Sequence, residues 1–328
     1  MNRKNTVILV LLFLLIFSIV DARVSLLPAV NWTFIDVEFE GFTFGNLEYR
    51  EELSGRETIP GENLIGLIVQ NRFGEVNISS EDRDDIAVDF EVIIESNTEA
   101  RLKEAQEEIE LEMIEDNGQL SIRMLRPEDE TNLEVQTNLK VRAPRDLTLE
   151  LSNDFGLIQL ADWQQEAKID SSYSSVRLND LEGFLHLRAD FSDLEINNLS
   201  SDLEIRTRHG NASINNLTGN IRLDSRFTNY EIENSLVSLQ GDISYGGLQA
   251  SEITGSVDLD SDFAGITLTL PADIEGWGFD IETRNGSIST GRELAIQDEG
   301  RSERLEISGD AGKPLLRIHT SHSGVTLN

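Results

Sequence analysis

The sequence contains no cysteine, which excludes disulfides, thiolate metal sites, thiol nucleophiles and lipid attachment through an N-terminal cysteine. Positive charge is scarce: 27 Lys and Arg stand against 60 Asp and Glu, a net −33, so the molecule repels polyanions and nucleic acid is excluded as a partner. Long hydrophobic runs are missing except for one, Val7–Val20, broken only by Ser18 and preceded by Arg3 and Lys4. That pattern is an export signal, with Val20-Asp21-Ala22 offering cleavage after Ala22. If Asp21 and Arg23 instead rest at the outer interface, the same segment is an uncleaved hydrophobic helix that anchors the chain in a membrane. Either way the chain from about residue 28 onward is extracytoplasmic.

Aromatic residues make up only 6% of the chain, yet Phe155, Tyr173, Phe191, Phe227, Tyr245 and Phe263 fall on one 18-residue period, with His209 filling the remaining position. Apolar residues alternate after each member, as in Leu194/Ile196 and Ile214 with Ala212. Nine residues on the alternation returns, as in Leu185/Leu187, Leu203/Ile205 and Ile221/Leu223. Each 18-residue unit therefore holds two short strands, too small to bury an apolar face alone but able to do so when stacked. The expected fold is mainly all-β: a parallel β-solenoid (β-helix) of 18-residue coils, with an N-terminal α+β segment. The expected division is 1–27 as signal or anchor, 28–150 as a β-rich segment with one helix, and 151–328 as the solenoid, which is alternatively continuous with 65–150. The motif does recur upstream at Phe73-Gly74-Glu75-Val76 and downstream at Asn285-Gly286-Ser287-Ile288 and His322-Ser323-Gly324-Val325.

Within the coils, Gly183, Gly219 and Gly255 are expected to supply unusual backbone angles at corners, and Leu181, Leu199, Leu217 and Ile253 to plug the core there. Asp162, Asp180, Asn198, Asn216, Asn234 and Glu252 form a polar column, read as a hydrogen-bonded corner ladder in preference to a row of cation ligands. The aromatic column is read as an internal or edge-on stack in preference to a glycan-binding stripe. Between Ile78 and Leu151, Ile86–Ile94 and Leu133–Val141 alternate like strands, and Thr98–Met113 reads as a helix. After Phe263 the period stretches through Pro271–Trp277, which predicts a bulged coil, and Gly291–Glu303 reads as a loop.

No catalytic, cofactor-binding or metal residues are assigned. Asp190, Asp193, Asp224, Asp242, Asp258, Asp260 and Asp262 would pair across coils, but abundant acids are what a −33 chain must show. His186, His209, His319 and His322 have no metal-binding spacing. No cofactor is expected beyond weak divalent-cation binding. The outward column Gln159, Arg177, Glu195, Ser213, Glu231, Gln249 and Thr267 makes a wettable face.

The run Ala143-Pro144-Arg145-Asp146-Leu147 into Ser152-Asn153-Asp154-Phe155-Gly156, the tandem units, Leu268–Asp273 and Thr283–Ile288 together resemble the bacterial putative-adhesin domain family, over roughly residues 65–328. The resemblance implies an extracytoplasmic β-repeat protein with no catalytic residues to carry over. The chain departs from that family's pattern in placing aromatics where turn glycines and asparagines are usual. The expected function is a non-catalytic cell-envelope or surface scaffold presenting a face to a protein or glycan partner. The alternative is a secreted carbohydrate-active β-helix, a polysaccharide lyase or hydrolase.

Overall fold

The computed structural model describes residues 47–328; the signal or anchor assigned to residues 1–27 lies outside them. The described chain is nearly all β, with 22 strands and one short helix. Among the described residues no helix is long and apolar enough to cross a membrane.

Alternation at a period of two dictates the packing. Strand 185–190 pairs in parallel with 167–172 on one side and 203–208 on the other, Leu185 lying opposite both Ala167 and Leu203. The second strand of each repeat forms its own parallel column, with Leu194 between Val176 and Ala212. Every such partner is 18 residues away. Leu194, Ile196, Leu203 and Ile205 are at most 4% exposed and belong to one continuous core, while Glu195 between the first pair faces water. Each such aliphatic burial contributes about 1.5–3 kcal/mol. Where one repeat brings a larger side chain, its neighbour gives room: Tyr230 occupies the inward column next to the position of Ala212.

The corners follow a different rule from the expected one. Leu181, Leu199, Leu217 and Ile253 do plug the core. The left-handed backbone, however, falls on Asp162, Asp180, Asn198, Asn216, Asn234 and Glu252, with φ between 50° and 60°. Gly183 and Gly255 have no such angle; they are required by close approach, since a Cβ at Gly183 would lie 1.8 Å from the Gln165 carbonyl oxygen. Gly219 has both a φ of 153° and a Cβ position 2.3 Å from the Ser201 oxygen.

The ladder leaves sequence order at both ends. The coil after Phe263 does not bulge and continue. Strands 257–262 and 265–269 pair instead with 316–321 and 325–327. Residues 278–284 and 288–290 then stack on the far side of that last repeat. The expected loop at Gly291–Glu303 is only partly a loop: Gln297–Asp298 pairs with Ser302–Ile307, which lies antiparallel on 279–284 and closes the end. At the other end Gly66–Asn71 lies between Gln119–Leu125 and 148–153, and 76–79 between 139–142 and 158–161. Antiparallel strands Asp85–Ser96 and Tyr49–Pro60 finish that side.

The helix is shorter than its periodicity suggests. It spans Glu99–Glu108, capped by the Thr98 hydroxyl, which accepts from the Arg101 amide, and buries Leu102 and Ala105. Met113 belongs to strand Glu110–Asp116, opposite Ile122 of Gln119–Leu125. Asn117 and Gly118, with φ of 50° and 78°, form the tight hairpin turn that claims those residues for the sheet.

Candidate functional site

Two surface features arise from the repeat. The first is the aromatic column. Phe73, Phe155, Tyr173, Phe191, His209, Phe227, Tyr245, Phe263 and His322 stack face to face, with ring centroids 4.4–5.1 Å apart and planes within 18°. From Phe155 to Phe263 and at His322 every member has a φ of 52–65°, a conformation that side chains with a Cβ resist. The column is a stack, as expected, but a surface one and not internal: Phe155, Tyr173, Phe227, Tyr245 and Phe263 remain 42–49% exposed. Since neighbours cover both faces of each inner ring, only rims meet water. At one end the Arg72 and Arg126 guanidinium groups lie over Phe73 at 5.1 and 5.2 Å, and at the other Asn285 Nδ2 meets His322 Nε2 at 3.5 Å. A stacking sugar needs a free ring face, and the inner rings of this column offer none.

Under the column runs a row of buried hydroxyls. Ser171 and Ser192 meet at 3.2 Å, Ser174 donates to the Asn153 carbonyl, and the Thr207 hydroxyl meets Tyr230 Oη at 2.6 Å and donates to Ser225 Oγ. These groups partner one another and nearby carbonyls inside the corner. Burial pushes the Tyr230 phenol up to about 12, against the opposing hydrogen bonds to Thr207 and Ser225.

The polar corner column behaves as a ladder over part of its length: Asn198 Nδ2 donates to Asp180 Oδ1 at 2.9 Å and Asn216 Nδ2 to Asn198 Oδ1 at 3.1 Å. Asn234 breaks step and donates to Asn215. The outward column is less connected, with Arg177 3.6 Å from Glu195 and Gln159 accepting from Asn77.

The second feature is a groove on the outer face of the other strand column. Two adjoining hollows of about 280 and 490 Å3 share Glu204, Arg222, Gln240 and Asp258. Leu223 and Gly241 also line the first hollow, and Phe184 lines the second. Of the seven acids marked in the sequence, Asp224, Asp242 and Asp260 fall in one row here, each opposite the next, and Asp258 stands in the adjacent row. The others lie elsewhere. Asp190 pairs with Arg188, Asp193 accepts from the Asn211 amide and side chain, and Asp262 accepts from Ser321. His186 lies within 3.6 Å of Glu166 and 3.3 Å of Glu204, and His319 within 3.5 Å of Asp260; His209 and His322 belong to the ring stack. The sequence reading missed the groove and its Arg206, Arg222 and Gln240, since outward polar residues on a regular strand carry no sign of local depth.

No family model matches the chain, and no curated protein matches it. Among solved structures it is similar to a putative cell adhesion protein from Clostridium sporogenes, at 14% identity over 84% of this chain and 99% of that one, with a TM-score of 0.22. It is also similar to a putative adhesin from Parabacteroides distasonis, at 11% identity over 85% and 97%, TM-score 0.44. A putative adhesin from Bacteroides fragilis matches at 7% identity over 85% and 97%, TM-score 0.43. Two of these are named putative adhesins and one a putative cell adhesion protein; at these identities and TM-scores the likeness carries no argument about this chain's family or about what it does.

Proposed function

We propose that the chain is a non-catalytic, adhesin-like protein of the cell envelope or surface, in which residues 65–328 form one β-solenoid domain that presents its outer strand faces for binding or assembly. The observation that supports this best is the parallel register at an 18-residue offset, which sets outward side chains in rows one strand spacing apart and gives a rigid, extended, polar surface. Such rows suit many weak contacts with one long partner. The net charge of −33 keeps the surface soluble and opposes polyanions at long range.

One observation favours the second reading, a carbohydrate-active β-helix: Asp224, Asp242 and Asp260 stand on successive strands, about 4.8 Å apart per step, which is near the carboxylate spacing of retaining glycosidases. Against it, those carboxylates are open to solvent, Asp224 being 63% and Asp260 72% exposed, whereas such catalysis sets one carboxyl in an apolar pocket. The deciding experiment pairs location with turnover. Protease added to intact spheroplasts should degrade residues beyond about 28, and cells lacking the chain should lose adhesion. Full protection, or adhesion unchanged, would remove the surface-scaffold reading; polysaccharide turnover abolished by Asp242→Asn would replace it with the enzyme.

A further inference from the structure

The acids of the groove are mostly committed, and the uncommitted groups are of mixed kind. Arg206 donates to Glu204 at 2.8 Å and lies 4.0 Å from Asp224. Arg317 holds Asp258 at 3.2 Å, and His319 lies beside Asp260. Among the described residues this leaves Arg222, Gln240 and Asp242 without a side-chain hydrogen bond or ion pair, and they are neighbours: Gln240 is opposite Arg222 in register, with Asp242 two residues along the same strand. The centre of the groove thus offers one cation, one amide and one anion. A cationic ligand would meet Arg222 there and an anionic one Asp242. A ligand rich in hydroxyls meets neither problem, because each hydroxyl both donates and accepts.

Two further features favour a chain of sugars. The groove crosses four successive repeats, with about 4.8 Å between strands, close to the length of one pyranose in an extended chain, so each sugar would find the same set of outward positions. Phe184, half-buried and lining the second hollow, adds the apolar wall that small-molecule sites combine with a few placed polar groups. We propose that this groove binds a neutral oligosaccharide laid across the repeats, with Arg222, Gln240 and Asp242 as its recognition residues. The inference rests on the surface-binding reading and names its ligand class.

The test uses the full chain with neutral hexose tetrasaccharides, tetragalacturonate and tetralysine, followed by calorimetry at low and high salt. A neutral tetrasaccharide should bind with little salt dependence, since no net charge is exchanged. Arg222→Ala and Asp242→Asn should each weaken it about tenfold, the cost of losing one charge-assisted hydrogen bond, while Glu231→Gln on the other strand column should not. Tetralysine binding that Asp242→Asn weakens, tetragalacturonate bound more tightly than the neutral tetrasaccharides, absence of binding by every neutral tetrasaccharide, or unchanged affinity in both groove variants would overturn the proposal. Cell adhesion measured on the same variants separates the two readings: adhesion that survives the groove substitutions removes the groove alone, and only adhesion indifferent to the whole chain removes the scaffold.

Discussion

Replacing Phe227 by Asn sets two effects against each other, and the structure says which one wins. Asn tolerates φ near 56° better than Phe, a relief of about 1–2 kcal/mol for a left-handed residue. The ring, however, is 49% exposed, so roughly half of its ~200 Å2 is out of water, which at about 25 cal/mol per Å2 amounts to ~2.5 kcal/mol. It also stacks on His209 at 4.7 Å and Tyr245 at 4.9 Å, each contact adding about 1 kcal/mol. Stacking and burial exceed the strain, and Phe227→Asn should destabilise by about 2–3 kcal/mol, allowing for partial burial in the unfolded chain. Tyr245→Asn should behave alike. Because the two rings share one contact, the double variant should fall short of the summed cost by about 1 kcal/mol. Urea denaturation followed by circular dichroism measures all three. A Phe227→Asn midpoint above that of the wild type would refute the balance, and additivity within ~0.3 kcal/mol would show that the stacked geometry contributes nothing of its own.

Leu203→Asp should unfold the chain or cost several kcal/mol, because it leaves an unpaired carboxylate in the core, whereas the exposed Glu231→Lys should stay within about 0.5 kcal/mol by the same denaturation assay. Gly183→Ala should be strongly destabilising, its Cβ meeting the Gln165 oxygen, while Gly265→Ala, with open space around it, should be neutral or raise the melting temperature slightly. Tyr230 predicts alkaline sensitivity: its folded value is raised above the ordinary 10.0, so its contribution is full below pH 10 and is lost as pH climbs toward about 12. Tyr230→Phe should flatten that part of a thermal-midpoint profile. Asp89 works at the acid end, where the hydrogen bond from the Arg56 guanidinium holds its carboxyl below the usual range. Its contribution is present at neutral pH and lost as pH falls through that depressed value, so Asp89→Asn should lessen acid sensitivity.

Inward and outward positions were legible because Leu194/Ile196 and Leu203/Ile205 repeat at fixed offsets, and a strand can bury only one of its faces. Corner plugs such as Leu199 were legible for the same reason. Period alone does not say which neighbour a repeat chooses. His322-Ser323-Gly324 fits beside Phe263 as well as any nearer segment does, and only packing shows that it displaces Asn285-Gly286 outward. Met113 satisfies a helical face and a strand face equally, and the Asn117-Gly118 turn decides between them. The groove was hidden because Arg222 and Gln240 look in sequence like any other solvated residues and Asp242 is one acid among seven at similar spacing; their interest lies in what their neighbours already bind.

The placement of residues 315–327 between two repeats that precede them in the chain has a consequence in time. A ribosome delivers 278–307 before the strand on which those residues must lie, so the carboxyl-side end of the ladder stays open during synthesis, showing unpaired edges at 257–262 and 265–269. Nothing can seal it but the arrival of Leu316, Ile318, Val325 and Leu327, which are wholly buried once seated. A truncated molecule would keep an adhesive edge, open to proteases and to pairing with other chains.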